Sequence, residues 1–181
     1  MNTQMRFYPD TITPYLYEPT RDKFDILPTA DGRGEAVVSL TSFEPGETLF
    51  VFTGAVVPEI TLFTLQLGEA AHVHDPFFMG KVLHSCSPNA RVVMAERRFI
   101  ALDYINPGDC ITMDYESTED RLFRGFECRC GSPQCKGMIR GSKVAPDDPL
   151  LPIHQEDLKR IYTRTEKATR KMARGEVAQR R

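Results

Sequence analysis

Apolar and polar positions alternate in short runs along most of this chain, and turn residues separate the runs. Glu35 to Leu40 and Thr48 to Thr53 are rich in strand-forming residues, with a turn signal at Glu44-Pro45-Gly46-Glu47 between them. Thr61 to Leu67 reads as a further strand, ended by Gly68. Arg91 to Glu96 and Phe99 to Ile105 read as a hairpin with Arg97-Arg98 at its tip, and Asn106-Pro107-Gly108-Asp109 makes the next turn. From Cys110 to Tyr115 the alternation is strict. Cys110, Thr112 and Asp114 share one face; Ile111, Met113 and Tyr115 share the other. Many short strands joined by turns predict a mainly β domain.

Two stretches depart from that pattern. Residues 1–29 carry Pro9, Pro14, Pro19 and Pro28, a density that breaks regular structure and predicts an extended arm or loops. Phe7, Tyr8, Tyr15, Leu16 and Tyr17 predict that this arm packs on the body. Beyond Gly141, Pro146-Asp147-Asp148-Pro149 and Pro152 read as a linker. Leu158, Ile161, Tyr162, Thr165, Thr169 and Met172 then recur at helical spacing, and Gly175 ends the run. His72 and His74 have no acidic or thiol partner nearby in sequence and read as loop or surface residues.

Length and charge narrow the classes. A chain of 181 residues is one domain with tails, long enough for its own core. No apolar run approaches the roughly 20 residues of a membrane span. Met1 to Asp10 lacks the apolar core of a signal peptide, so an intracellular location, nucleus or cytoplasm, is expected. Lys159 to Arg181 holds nine Lys and Arg against two Glu, a net of +7, which leaves −9 on the rest of a chain whose total is −2. An acidic body attracts a basic peptide. The basic tail suits either a solvated helix face or contact with nucleic acid or an acidic partner.

The cysteines carry the sharpest signal. Cys128, Cys130 and Cys135 form C-x-C-x4-C, three of the five thiols in the chain. Thiols so close suit one tetrahedral zinc, which takes four ligands. Cys86, in His84-Ser85-Cys86-Ser87-Pro88-Asn89, is the natural fourth. Cys110 reads instead as a small packed residue of its strand. Such a zinc, with a full shell, is structural and ties the His84 segment to the chain beyond Tyr115. Gly32-Arg33-Gly34 ahead of a strand is either a simple turn or a place where backbone approaches a ligand.

Taken together, H-S-C-S-P-N at 84–89, Met113-Asp114-Tyr115 and C-x-C-x4-C resemble the SET domain and post-SET motif of protein lysine methyltransferases. Gly32-Arg33-Gly34 and Phe52-Thr53-Gly54 extend the resemblance to roughly residues 30 to 140. It implies a small SET protein: a SET-domain fold of short sheets with a pseudoknot, a post-SET zinc knot and, in this chain, a C-terminal helix. The implied division is an arm over 1–29, the SET domain over 30–116, the zinc region over 117–141, and a linker with a basic helix over 142–181.

The resemblance also assigns roles. S-adenosylmethionine would be held by Gly32, Arg33, Gly34, Leu83, the backbone of His84, Tyr115 and Met138, with Met138 and Ile139 over the adenine. Tyr115 would be catalytic, its hydroxyl orienting the amine and the methyl group. Phe52 and Met113 would wall the lysine channel, and Asn89 would bind the backbone at the pseudoknot crossing. Leu83 stands where the family has asparagine, Phe52 where it has tyrosine, and Met113 where it has phenylalanine or tyrosine. The implied activity is methyl transfer to a lysine amine of a protein or peptide, histones being the family's best-known substrates. Two other readings fit the residues: a zinc-stabilised SET-like binding module without catalysis, supported by Leu83, and a methyltransferase for a small amine, supported by the short span from Gly54 to Lys81.

Overall fold

Turn chemistry cuts this chain into strands of two to five residues in the computed structural model, which describes residues 5–145, 167 and 169–175. The first hairpin joins β1 (Phe24–Pro28) to β2 (Glu35–Ser39), antiparallel, from Phe24 opposite Ser39 to Pro28 opposite Glu35. The expected arm therefore ends in a strand. Pro28 does not prevent this, because it sits at the last position, where a ladder donor can be dispensed with. Upstream, Phe7 and Tyr8 are buried in the core and Tyr15 packs against it, as expected of the arm, whereas Leu16 and Tyr17 are exposed; Ile12, not singled out by the pattern, is buried too.

The second sheet has β9 (Arg98–Ala101) at its centre, flanked by β3 (Thr48–Val51) and β8 (Ala90–Val93), all antiparallel. The hairpin between β8 and β9 has a longer connection, residues 94–97, than the expected tip at Arg97-Arg98, and Arg98 begins the second strand. A short 3-10 turn, Met94–Glu96, joins them, and Arg97 closes it with a left-handed φ of 50°.

The third sheet fills the span between residues 54 and 81, with order β4 (Ala55–Val57), β6 (Ala71–His74), β5 (Thr64–Gly68). His72 and His74 lie on its central strand and are both buried, which corrects their expected place on a loop or the surface. Nδ1 of His74 lies 3.3 Å from the Thr61 hydroxyl, and Nε2 lies 3.4 Å from the hydroxyl of Thr169, in a helical stretch over residues 169–173. That stretch buries Met172 in the core. The expected linker and the first part of the expected helix lie outside the described residues. Gly54 is needed where the second and third sheets meet: a Cβ there would come within 2.3 Å of the His74 carbonyl oxygen.

Aromatic rings make the core. Phe50 stacks on Phe99 with centroids 4.5 Å apart and meets Phe78 edge-on at 4.8 Å, while Phe24 packs on Phe78 at 5.3 Å. Tyr8 reaches in from the arm, its hydroxyl donating to Asp75 at 2.6 Å. Asp75 in turn accepts the backbone N–H groups of Phe77, Phe78 and Met79, so a buried carboxylate holds that turn closed.

The remaining strands are two residues long and build the site. β7 (Leu83–His84) runs parallel to β10 (Thr112–Met113), and β11 (Phe126–Glu127) pairs antiparallel with β12 (Met138–Ile139). The strand expected from Cys110 to Tyr115 is shorter than its alternation suggests. Cys110 bridges to Val38, Ile111 and Met113 point into the core, and Tyr115 opens a 3-10 turn, Tyr115–Ser117.

Candidate active site and cysteine cluster

The Asn89 side chain joins the two segments that carry the site. Its amide donates to the Cys110 carbonyl at 2.9 Å, and its oxygen accepts the Thr112 N–H at 2.8 Å. The Ser85 N–H donates to the Met113 carbonyl at 3.0 Å, extending the parallel pairing by one residue. Ser85 also closes its own turn, its hydroxyl accepting the Ser87 N–H and donating to the Ser87 carbonyl. Between them these bonds set Leu83, His84 and Met113 beside Tyr115.

Beside these residues lies a cavity of about 280 Å³. Gly32, Arg33, Leu83, His84, Met113 and Tyr115 line it, with Thr61 ahead of β5, Thr64 and Leu65 within β5, Glu119, and Cys128 and Arg129 of the cysteine segment. Gly32 and Gly34 hold φ values of +76° and +107° in the turn before β2, so it is the left-handed backbone, not a close neighbour, that favours glycine at both positions. Four residues named from the sequence for the cofactor or the channel are not on the lining. Gly34 is one. Phe52 is wholly buried, packed edge-on against Phe99, and serves the core. Met138 is 42% exposed on β12, whereas its neighbour Ile139 is fully buried.

Tyr115 is held at both ends. Its hydroxyl donates to the Val82 carbonyl at 2.8 Å, and its backbone N–H donates to Nδ1 of His84 at 3.2 Å. Burial pushes the phenol well above its ordinary range, so it stays protonated. Its oxygen keeps lone pairs for whatever enters the cavity. Accepting the Tyr115 N–H fixes the neutral tautomer of His84 with the proton on Nε2, 3.3 Å from the sulfur of Cys86. Burial lowers the His84 pKa and keeps the ring neutral. One imidazole thus links the Tyr115 backbone to the cysteine cluster, a role for the side chain where the sequence suggested only the backbone.

In that cluster the sulfurs of Cys86, Cys128, Cys130 and Cys135 all lie within 4.8 Å of one another. Cys86 and Cys128 are 3.8 Å apart, which matches the edge of a tetrahedron with zinc–sulfur bonds of about 2.3 Å. The donor set is all thiol and complete, as in structural zinc sites, and leaves no position for a reacting water. Cys110 is not among the four. Backbone N–H groups, that of Cys86 first, draw the Cys130 thiol down to about 6. The Lys136 N–H donates to the Cys86 sulfur at 3.4 Å. The ammonium of Lys136 pairs with Asp114 at 3.0 Å and Glu116 at 2.9 Å, on either side of Tyr115. Those carboxylates, Glu116 first, raise the Lys136 pKa. Nothing in the spacing of Lys136 announces this link.

Sequence reading also passed over Glu119. It is 3% exposed, lines the cavity, and accepts the Gln66 backbone N–H at 2.8 Å.

Comparison with known proteins identifies the fold. No protein-family model matches the chain. "Methyltransferase flvH" of Aspergillus flavus is 32% identical over 108 residues, which is 58% of this chain and 61% of that protein. The crystal structure of KRYPTONITE in complex with mCHG DNA and SAH superposes with a TM-score of 0.54 at 19% identity, covering 70% of this chain and 30% of that one. KRYPTONITE in complex with mCHH DNA, H3(1-15) peptide and SAH gives 0.51 at 21% identity, covering 64% and 29%. The chain therefore spans 61% of the curated relative and under a third of each solved chain. The fold is the mainly β SET-domain fold. Among the described residues, no helix is long and apolar enough to cross a membrane.

Proposed function

We propose that this chain binds S-adenosylmethionine and transfers its methyl group to the side-chain amine of a lysine in a protein or peptide. The observation that carries this reading is the un-ionised Tyr115 hydroxyl, anchored on Val82 at a cavity shared by Gly32, Arg33, Leu83 and His84. The name of the Aspergillus flavus relative and the SAH in both KRYPTONITE structures support the cofactor; SAH is what remains when the methyl group has left. The H3 peptide in one of them supports a peptide substrate, histone among the candidates. The acidic body favours a basic peptide. Nucleic acid remains a candidate partner for the basic tail, supported by the DNA in both KRYPTONITE structures.

Bound S-adenosylmethionine supplies a methyl group already activated on a sulfonium. The chain has to supply position and a dry channel. Leu65, Val82, Leu83 and Met113 give the cavity apolar walls. Such walls disfavour an ammonium, so the lysine amine, with a pKa of about 10.4 in water, loses its proton more readily there. Because the Tyr115 hydrogen points at Val82, its oxygen can only accept, which suits an amine N–H and a polarised methyl group. Holding nitrogen, methyl carbon and sulfur in line supplies the proximity advantage. Arg33 is the group for the cofactor's carboxylate. Cys86, Cys128, Cys130 and Cys135 would hold one structural zinc in the role of the post-SET motif, with Met138 and Ile139 next to the last thiol.

The test is calorimetric binding of S-adenosylmethionine to the zinc-loaded protein, followed by transfer of labelled methyl to lysine peptides and to small amines. Saturable binding with label on lysine is expected. Tyr115→Phe should bind the cofactor normally and turn over about 10²–10³-fold more slowly, the usual cost of one donor or acceptor placed for the transition state. Folded, zinc-loaded protein that binds no cofactor would leave the binding module as the better account.

A further inference from the structure

Among the described residues, Glu119 is the one carboxylate on the cavity lining, and it is almost fully buried. It stands one turn after Tyr115, its own backbone N–H donating to the Tyr115 carbonyl at 2.9 Å. Its Oε1 accepts the Gln66 backbone N–H, so the carboxylate is pinned to β5, whose Thr64 and Leu65 share the lining. The charged neighbour acting on it is another carboxylate, Asp120, which opposes its ionisation. Asp120 itself is tied to Lys143 at 2.9 Å and to the Gln66 amide at 2.8 Å. Among the described residues no cation offsets that repulsion on Glu119, so this desolvated, hydrogen-bonded carboxylate gains from an entering cation.

We propose that the Glu119 carboxylate is the recognition group for the substrate's alkylammonium, and that it selects a primary amine for this cavity. The proposal rests on the methyl-transfer reading above and names its cation-binding residue. Burial raises the Glu119 pKa to about 7, which adds a second property. In an ammonium–carboxylate pair of this kind, the N–H bond can break and an O–H bond form on Glu119. A neutral acid and a neutral amine with a free lone pair are left, and no charge is stranded. The other ionisable side chains on the lining are Tyr115, His84, Cys128 and the guanidinium groups of Arg33, Arg124 and Arg129, and burial keeps the Tyr115 phenol un-ionised.

The experiment is an NMR titration with n-butylammonium chloride, a mimic of the lysine side chain, and with 1-butanol as its uncharged counterpart, with and without SAH. At pH 8.5 the wild type should prefer butylammonium by about tenfold or more, the worth of one charge-assisted hydrogen bond. At pH 6, below the Glu119 pKa, the preference should shrink. Glu119→Gln keeps the acceptor for Gln66 and should abolish the preference at both pH values; Glu119→Asp should restore part of it. Equal preference in Glu119→Gln, or none in the wild type, overturns the proposal. So would a Glu119→Gln protein that loses SAH affinity but still prefers butylammonium, since the carboxylate would then serve the cofactor's own ammonium. A wild type that shows the preference yet transfers no methyl group would retire the methyl-transfer reading and leave the ammonium site standing.

Discussion

Phe50 in the β body and Cys128 beside the cavity are both buried, yet they hold their surroundings together in different ways. Phe50 sits in a cluster of rings contributed by strands far apart in sequence. Cys128 sits in a segment whose only sheet is a two-residue pairing and whose buried apolar residues are few, Ile139 chief among them. The body is held by apolar burial. The cysteine segment depends on four thiols, the His84 contact to Cys86, and the Lys136 ion pairs. The Cys128 and Arg129 side of the cavity would therefore depend on a bound metal, whereas the side given by Leu65, Val82 and Leu83 would not.

Chelation should have the largest effect. Removing the metal, or Cys135→Ser, forfeits a site whose metal binding is worth about 10–16 kcal/mol in zinc-finger peptides. Hydrogen exchange should then show loss of protection over residues 126–139, with β3, β8 and β9 still protected. Simultaneous loss in both regions would show that the body and the cysteine segment unfold as one unit. Phe50→Ala attacks from the other side. It should lower global stability by about 3–5 kcal/mol in denaturant melts, while the folded fraction keeps its zinc.

Leu83→Asn sharpens the comparison at the seam between the two regions. An amide in place of this buried leucine gives the cofactor's charged end a partner worth about 1.5–3 kcal/mol, so S-adenosylmethionine should bind about ten- to hundredfold more tightly by calorimetry. Weaker binding would mean that the pocket is built differently around Leu83. Lys136→Met should have the smallest effect. Its ion pairs are partly exposed, so stability should fall by no more than about 1 kcal/mol. A drop in turnover beyond that scale would show that these pairs position the turn of Tyr115.

Sequence legibility followed the range of the interactions. The three thiols of C-x-C-x4-C are local, and the turns at Glu44 to Glu47 and Asn106 to Asp109 are local too, so spacing alone announced them. His72 and His74 were misread because their burial comes from neighbouring strands and from residues near Thr169, far along the chain. Phe24–Pro28 was hidden by proline density, which marks where a strand ends as readily as where none exists. The Tyr115 and Cys86 neighbourhood was legible through family resemblance rather than through periodicity. Glu119 was illegible for the same reason as the histidines: a glutamate two residues from Ser117 looks like surface until β5 and the turn after Tyr115 close over it.

The parallel pairing of β7 with β10 bears on the order in which this protein can assemble. The whole β8–β9 hairpin lies inside the loop that Leu83 and Thr112 close. Closing that loop costs chain entropy, and a two-residue ladder repays little of it until neighbouring contacts arrive. During synthesis the Cys86 thiol emerges first and must wait, uncoordinated, for Cys128, Cys130 and Cys135 to follow. The ring cluster can form in the meantime from residues already made. The rings of Phe24, Phe50, Phe78 and Phe99 thus precede in synthesis every cysteine of the C-x-C-x4-C segment, so the site can be completed only after the body's rings exist, at a moment set by when the final cysteine leaves the ribosome.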